Sequence, residues 1–259
     1  ESALHEAQLS IDGSGLLDSG DLFLCDIRDQ QRLRDAFASI QPDLVFHAAA
    51  LKHLTFLERF PSEAWKTNVL GTRNVANAAA EANVSNFINI STDKAADPSS
   101  VLGQSKRITE RLISHRGSSN PGWVSVRFGN VLGSRGSVIT TFRYQISKGG
   151  PVTVTDREVT RYFMTIREAV HLVLQASVLG RGGETLILNM GEPVRIAAIA
   201  EFMIARSGRQ IPIVFTGLRD GEKVNEVLVG EQETVNSPLH PLISHTHVPP
   251  LNDPLEFLP

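Results

Sequence analysis

Along the first half of the chain, short apolar runs alternate with segments whose apolar residues recur at helical spacing. Asp21-Leu22-Phe23-Leu24-Cys25 reads as a buried strand, and Asp29 to Ile40 as a helix with Leu33, Ala36, Phe37 and Ile40 on one face. Asp43 to His47 is the next strand. A long helix follows, opening near Pro61, because proline is tolerated in a first turn, with Ala64, Val75, Ala76 and Ala79 facing inward. Asn86 to Ile90 reads as a strand, Val101 to Ser114 as a helix and Trp123 to Arg127 as a strand. Strands of four to six residues, apolar on both faces and separated by helices, predict a parallel sheet covered on both sides. With right-handed crossovers this is an α/β, doubly wound, Rossmann-like fold, whose ligand edge lies at the carboxyl ends of the strands.

After about residue 135 the rhythm loosens. Gly149-Gly150-Pro151 breaks the chain, Val152-Thr153-Val154 reads as a strand of a separate lobe, and Ile166 to Leu179 as a helix. Thr185 to Asn189 and the helix from about Val194 to Ser207 read as a β–α unit returning to the main sheet. Residues 1–135 are therefore expected to form a dinucleotide-binding domain, to which about 185–207 return. Residues 136–259 are expected to form mainly a smaller substrate-binding lobe and a tail. Prolines crowd that tail from Pro238 onward without periodicity, so it reads as docked or mobile.

Composition narrows the class. The 259 residues are 41% hydrophobic and 20% charged, an ordinary globular balance. A net charge of −3 gives no basic excess for a phosphate backbone, so no nucleic-acid partner is expected. One cysteine cannot form an internal disulfide. With no signal-like N-terminus and no run of ~18 apolar residues, a cytoplasmic protein is expected. His240, His245 and His247 lie in the tail, which offers no rigid scaffold, so no metal site is expected.

Polar or small residues collect at the expected strand ends: Asp26-Ile27 after the first, Ala48-Ala49-Ala50 after the second, Ser91-Thr92-Asp93-Lys94 after the third and Phe128-Gly129-Asn130 after the fourth. Small residues let a flat cofactor approach the backbone, and a carboxylate there can accept from an adenine amine or a ribose hydroxyl. In sequence these segments read His47-Ala-Ala-Ala-Leu-Lys-His53, Asn68-Val-Leu-Gly-Thr72, Ser91-Thr-Asp-Lys-Ala95, Gly103-Gln-Ser-Lys106, Arg127-Phe-Gly-Asn-Val-Leu-Gly-Ser-Arg-Gly136 and Arg161-Tyr-Phe-Met164. Together they resemble the polysaccharide-biosynthesis nucleotide-sugar 4,6-dehydratases, extended short-chain dehydrogenase/reductase proteins that act mostly on UDP-N-acetylglucosamine. The resemblance runs from residue 1 to about 250.

The resemblance implies an NAD or NADP cofactor that takes a hydride from C4 of the sugar and returns it to C6 after water is lost across C5 and C6. It makes Lys94 the base at C5 and Asp93 the acid at the C6 hydroxyl. Lys106 matches the lysine of the superfamily's Tyr-x-x-x-Lys pair. Asp26, Ile27, Ala48, Ala49, Ala50, Lys52, Asn68, Ser91, Thr92, Lys106, Phe128 and Gly129 would face the cofactor. Lys52, Asn130, Gly136, Ser137, Val138, Thr153, Arg161, Arg219 and Glu222 would face a UDP-sugar, with Arg219-Asp-Gly-Glu222-Lys223 matching the family's Arg-x-Gly-Glu-Lys segment. Helices near 61–83 and 101–117 would pair subunits in a homo-oligomer, and membrane tethering is open for a longer parent chain.

Two departures qualify the resemblance. Leu102 stands where the tyrosine would be, and leucine accepts no proton, so Lys106 or Lys94 is expected to cover that role. The family also opens with a strand and a glycine-rich turn that holds the pyrophosphate. Gly13-Ser14-Gly15 lacks that spacing and reads as a loop, while Glu1-Ser2-Ala3-Leu4 matches the helix after the family's second strand. The chain is thus expected to start after the first β–α–β unit, either by truncation or as a natural pseudoenzyme. Two rivals remain: a UDP-sugar 4-epimerase, which needs no C5 base, and a non-catalytic module that binds cofactor or nucleotide-sugar.

Overall fold

Phe87 and Trp123 pair across two parallel strands and stack with ring centroids 4.8 Å apart, while their neighbours Ile88 and Val124 turn to the opposite face. This two-sided burial is the physical basis of the fold. The computed structural model describes residues 2–13, 19–134 and 136–253. Strands β1 (Leu44–His47), β2 (Asn86–Ile90) and β3 (Gly122–Arg127) run parallel in the order 1-2-3. Helix α1 (Ser2–Asp12) comes first in the chain; on one face of the sheet α2 (Gln30–Ile40) contributes Leu33 beside Val75, Ala76 and Ala79 of a long helix and Ile113 of α6 (Val101–Gly117). Asp29 caps α2 by accepting from Arg32 N, and Ser100 caps α6 by accepting from Gly103 N.

The helix expected near Pro61 is there. Short α3 (Leu54–Arg59) leads into α4 (Pro61–Ala64), a π-helical stretch Trp65–Gly71, and α5 (Thr72–Glu81). The wider π turn carries Asn68, which is fully buried.

Beyond β3 the chain leaves the sheet. Asn130–Val131 (β4) pairs with Phe163–Met164 (β7), and Thr160–Arg161 (β6) with Val194–Arg195 (β9). Helix α7 (Val138–Ser147), strand β5 (Val152–Val154), helix α9 (Ile196–Ser207) and strand β10 (Ile213–Phe215) enclose a separate core of Phe142, Val152, Val154, Ile196 and Ala200. Helix α8 (Ile166–Leu179), opened by a Thr165–Glu168 capping box, covers the second sheet face with Ala169, Leu172, Val173 and Ala176. Strand β8 (Glu184–Leu188) then returns parallel to β3. Each large apolar side chain buried this way contributes about 1.5–3 kcal/mol.

Three expectations change. Residues 21–25 form no strand: a strand needs a ladder partner, β1 pairs only with β2 among the described residues, and Phe23 and Leu24 are exposed. The return of residues about 185–207 divides, because β8 joins the main sheet while α9 packs on β5 and α7. As far as residue 251 the proline-bearing tail is neither loose nor merely docked. Strands β11 (Val235–His240) and β12 (Ile243–His247) form a hairpin that adds antiparallel to β8, giving the order β1-β2-β3-β8-β12-β11. His245 is a buried strand residue whose Nδ1 meets Glu184 Oε2 at 2.9 Å. The chain then crosses α6, where Arg111 Nε donates to Pro249 O and Ser114 Oγ to Val248 O. Ser14 and Gly15 of the reading for 13–15 lie outside the described residues. No helix among those residues is long and apolar enough to cross a membrane.

Candidate functional site

The carboxyl ends of β1, β2 and β3 open into a cleft of about 420 Å³ whose far wall is formed by residues 130–132, 134, 136–139 and Phe163. Of the residues expected at the cofactor, Ala48, Ala50, Lys52, Ser91, Thr92, Lys106, Phe128 and Gly129 line it. Of those expected at the substrate, Lys52, Asn130, Gly136, Ser137 and Val138 line the same cleft. Asp26, Ile27 and Ala49 lie in an adjoining shallow depression, which shares Ala50 and Leu51 with the cleft. Asp26 is already gripped there by Arg28, whose Nε and Nη2 reach its carboxylate at 3.0 and 2.7 Å. Those bonds, the largest influence, hold the Asp26 carboxyl below the usual range.

Backbone bonds fix the turn after β2. Ser91 N donates to Val126 O and Asp93 N to Phe128 O, and Asp93–Ala95 form a single 3₁₀ turn. Asp93 is fully buried. Its Oδ1 accepts from Thr92 Oγ1 at 2.8 Å and from Lys94 Nζ at 2.9 Å. Its Oδ2 has no hydrogen-bond partner among the described residues. Gly129 leaves room for that oxygen, because a Cβ there would stand 3.0 Å from it. Lys94 lines the cleft and Asp93 sits behind it. The pair therefore presents the amine to a ligand, with the carboxyl one hydrogen bond away.

Across the cleft Lys106, on α6, is buried, and its Nζ has no hydrogen-bond partner among the described residues. Burial lowers its proton affinity, the nearby Glu110 restores some of it, and the ammonium is held at about 8. His47 at the end of β1 is buried as well. Burial first and Lys106 second push it down to about 3, so it stays neutral. Thr72 Oγ1 donates to Asn68 O, so it accepts from His47 Nε2 at 2.8 Å, which assigns the proton to that nitrogen. Leu102 lines the cleft at the place of the absent tyrosine and packs with Leu57 and Ala64.

Several expected residues sit elsewhere. Asn68 positions the loop after β1: its Oδ1 accepts from Leu51 N at 2.8 Å, and its Nδ2 donates to Leu51 O and to Ser105 Oγ, both at 3.0 Å. Ser91 lines the cleft, but its hydroxyl donates to Glu110 Oε1 at 2.6 Å. Thr153 is bound by the carboxamide of Gln145. Arg161 is buried and pairs with Glu222 at 3.0 Å, and it also donates to Val224 O, so the two are spent on each other away from the cleft lining. Arg219 is exposed and does not line the cleft. Their partners come from distant segments, which no spacing in the chain reveals.

The sequence also missed two residues. His53 lines the cleft and lies against Gly136, where a Cβ would stand 2.7 Å from the imidazole. Glu226 is buried and its Oε1 lies 3.6 Å from Lys94 Nζ. Its neighbour Glu222 stood in a recognisable motif, whereas nothing around Asn225-Glu226 marks that contact.

Comparison with known proteins agrees with this geometry. The family model described as "Polysaccharide biosynthesis protein" matches residues 5–247. The capsular polysaccharide biosynthesis protein CapD of Staphylococcus aureus is 50% identical over 215 residues, which are 81% of this chain and only 36% of that protein's length. The X-ray structure of Pen from Bacillus thuringiensis superposes with a TM-score of 0.83 at 36% identity, covering 94% of this chain and 78% of that one. The UDP-glucose 4-epimerase of Thermus thermophilus, crystallised with NAD, shares the fold with a TM-score of 0.72 at 22% identity, covering 87% and 86%. A cleft at the strand ends of a parallel α/β sheet, lined by these motifs, and a match over nearly the whole chain together identify a member of the polysaccharide biosynthesis protein family, with the Rossmann-like α/β fold of its structural neighbours.

Proposed function

We propose that this chain carries the chemistry of an NAD(P)-dependent 4,6-dehydratase acting on a UDP-sugar, UDP-N-acetylglucosamine first among them. The observation that carries this reading is the Asp93–Lys94 hydrogen bond at the cleft wall, opposite a buried Lys106. An elimination needs a base and an acid on neighbouring carbons, and this pair supplies both within one turn. The residues at hand suit the nicotinamide end of the cofactor: Ala48, Ala50 and Gly129 leave the cleft walls low, and the Lys106 ammonium lacks a partner there among the described residues. When bound, nicotinamide would supply the redox step at C4 and reverse it at C6. Lys106, at about 8, takes the proton from the C4 hydroxyl in place of the tyrosine.

In the elimination, Lys94 Nζ removes the C5 proton while the C6–O bond breaks. The hydroxyl leaves as water with a proton from Asp93, which solvent then replaces. Once C6 is reduced, Lys94 Nζ, its protons exchanged with solvent, returns one to C5, and the 2.9 Å contact with Asp93 Oδ1 keeps the amine in place. The same reading includes a homo-oligomer paired through helices 61–83 and 101–117.

The test is incubation with NAD and UDP-N-acetylglucosamine in deuterated water, followed by mass and NMR. A product lighter by one water, with deuterium at C5, is expected, and Lys94→Ala abolishes both. A sugar-nucleotide of unchanged mass inverted at C4 would make the protein an epimerase, and binding without turnover would make it a module.

A further inference from the structure

Lys94 is a four-carbon side chain whose rotamer freedom one hydrogen bond to the adjacent residue does not remove. Besides Asp93, a second carboxylate reaches it. Glu226 Oε1 lies 3.6 Å from Nζ, with the Glu226 side chain only 2% exposed. A buried carboxylate is costly unless it is paired. Lys94 is the cation that Glu226 meets, and its Oε2 has no partner among the described residues.

The segment that delivers Glu226 is held firmly to the lobe. Asn225 bridges Thr160, Thr160 N donates to Val224 O, and Arg161 donates to the same carbonyl. It is also bound to the catalytic turn, since Lys223 Nζ donates to Ala96 O at 3.1 Å and to Asp97 O at 2.5 Å. Residues 223–226 therefore grip residues 94–97 at two points, from a different part of the fold. We propose that Glu226 positions Lys94, holding its amine over the cleft for the C5 proton, a role that rests on the dehydratase reading above. The charged groups around the Lys94 amine are Asp93 from its own turn, Glu226 from the lobe segment, and Lys52 and Lys106 from the other cleft walls.

The test labels lysine side chains with ¹⁵N and identifies the Lys94 signal by its loss in Lys94→Arg. In Glu226→Gln the Lys94 signal is expected to move and to broaden, because the carboxylate that fixes the amine has been removed. kcat for water loss is expected to fall about tenfold with KM within about twofold, since a misplaced reacting group costs turnover more than binding. Glu226→Asp, which keeps the carboxylate but withdraws it, should lie between the two. A Lys94 signal unchanged in position and width in folded Glu226→Gln overturns the assignment. If that variant does not fold, an unchanged signal and kcat in Glu226→Asp does so instead. The spectrum needs no turnover, so its failure is distinct from an absence of water loss in the unmodified protein, which would overturn the dehydratase reading.

Discussion

The carbonyl of Lys94 rests against α6 at Gly103, where a side chain would occupy the oxygen's own space. This close approach brings Lys94 and Lys106, from two different elements, to one cleft. Gly103→Ala would force the turn and the helix apart against backbone rather than a flexible side chain. It is expected to cost about 2–3 kcal/mol by urea denaturation, and to lower turnover more than cofactor binding. Unchanged stability would mean that the turn can shift freely.

Lys106 makes stability depend on pH. Its folded value of about 8 lies below the ordinary lysine value, so the unfolded chain holds this proton more tightly. The cost is fully present below pH 8 and fades as pH rises toward about 10.4. Lys106→Met should therefore be more stable than the parent at pH 7, by on the order of 2–3 kcal/mol. The difference should close by about pH 10.4 while catalysis is lost throughout. Denaturant midpoints measured across that range check it.

His47 acts in the opposite range. Neutral in the fold down to about 3, it takes a proton only on unfolding, so stability is intact above the ordinary histidine value and lost as pH falls through it. Replacing it with glutamine, which can still donate to Thr72, should flatten the profile. The parent should lose about 2 kcal/mol relative to His47→Gln between pH 6.5 and pH 5, before most carboxylates titrate. Parallel slopes would show that the ring gains a proton inside the fold.

Beneath the cleft, Arg127 is fully buried between Glu110 at 2.6 Å and Glu233 at 2.7 Å, and Arg107 also pairs with Glu233. Burial works against both charges, yet the mutual bonds win, holding Glu233 down at about 2 and Arg127 further up than a free guanidinium. Arg127 also donates to Leu228 O, so one side chain fastens the 228–233 segment to β3. Arg127→Met leaves two buried carboxylates without it and should cost about 3–5 kcal/mol. Glu233, held low, contributes stability that is present above the ordinary glutamate value and lost as pH falls toward 2, and Arg127→Met should lose that acid dependence. Thermal or urea unfolding at pH 7 and pH 4 reads both effects.

How much of this was legible without coordinates differs from element to element. Apolar runs at 86–90 and 123–127 and helical spacing at 101–114 predict β2, β3 and α6, because a strand buried on both faces has a composition that can be read locally. The run at 21–25 has the same composition and forms no strand, since pairing depends on a neighbour that composition cannot see. The β11–β12 hairpin was hidden for the converse reason. Its prolines mask a pairing with β8 that only a sheet edge supplies.

At the site, motif residues alone pointed to Lys94, Lys106 and small residues at the strand ends that line one cleft, and to Asp93 bonded behind Lys94. Which of the other charged side chains face the cleft was settled in three dimensions. Arg161 and Glu222 neutralise each other, Asp26 is held by Arg28, and Glu226 comes to Lys94 from a distant segment. Local sequence sets backbone preference and hydrophobic periodicity over a few turns. An ion pair belongs to whichever chain segments packing brings within a few ångströms of each other, and that is a property of the whole fold.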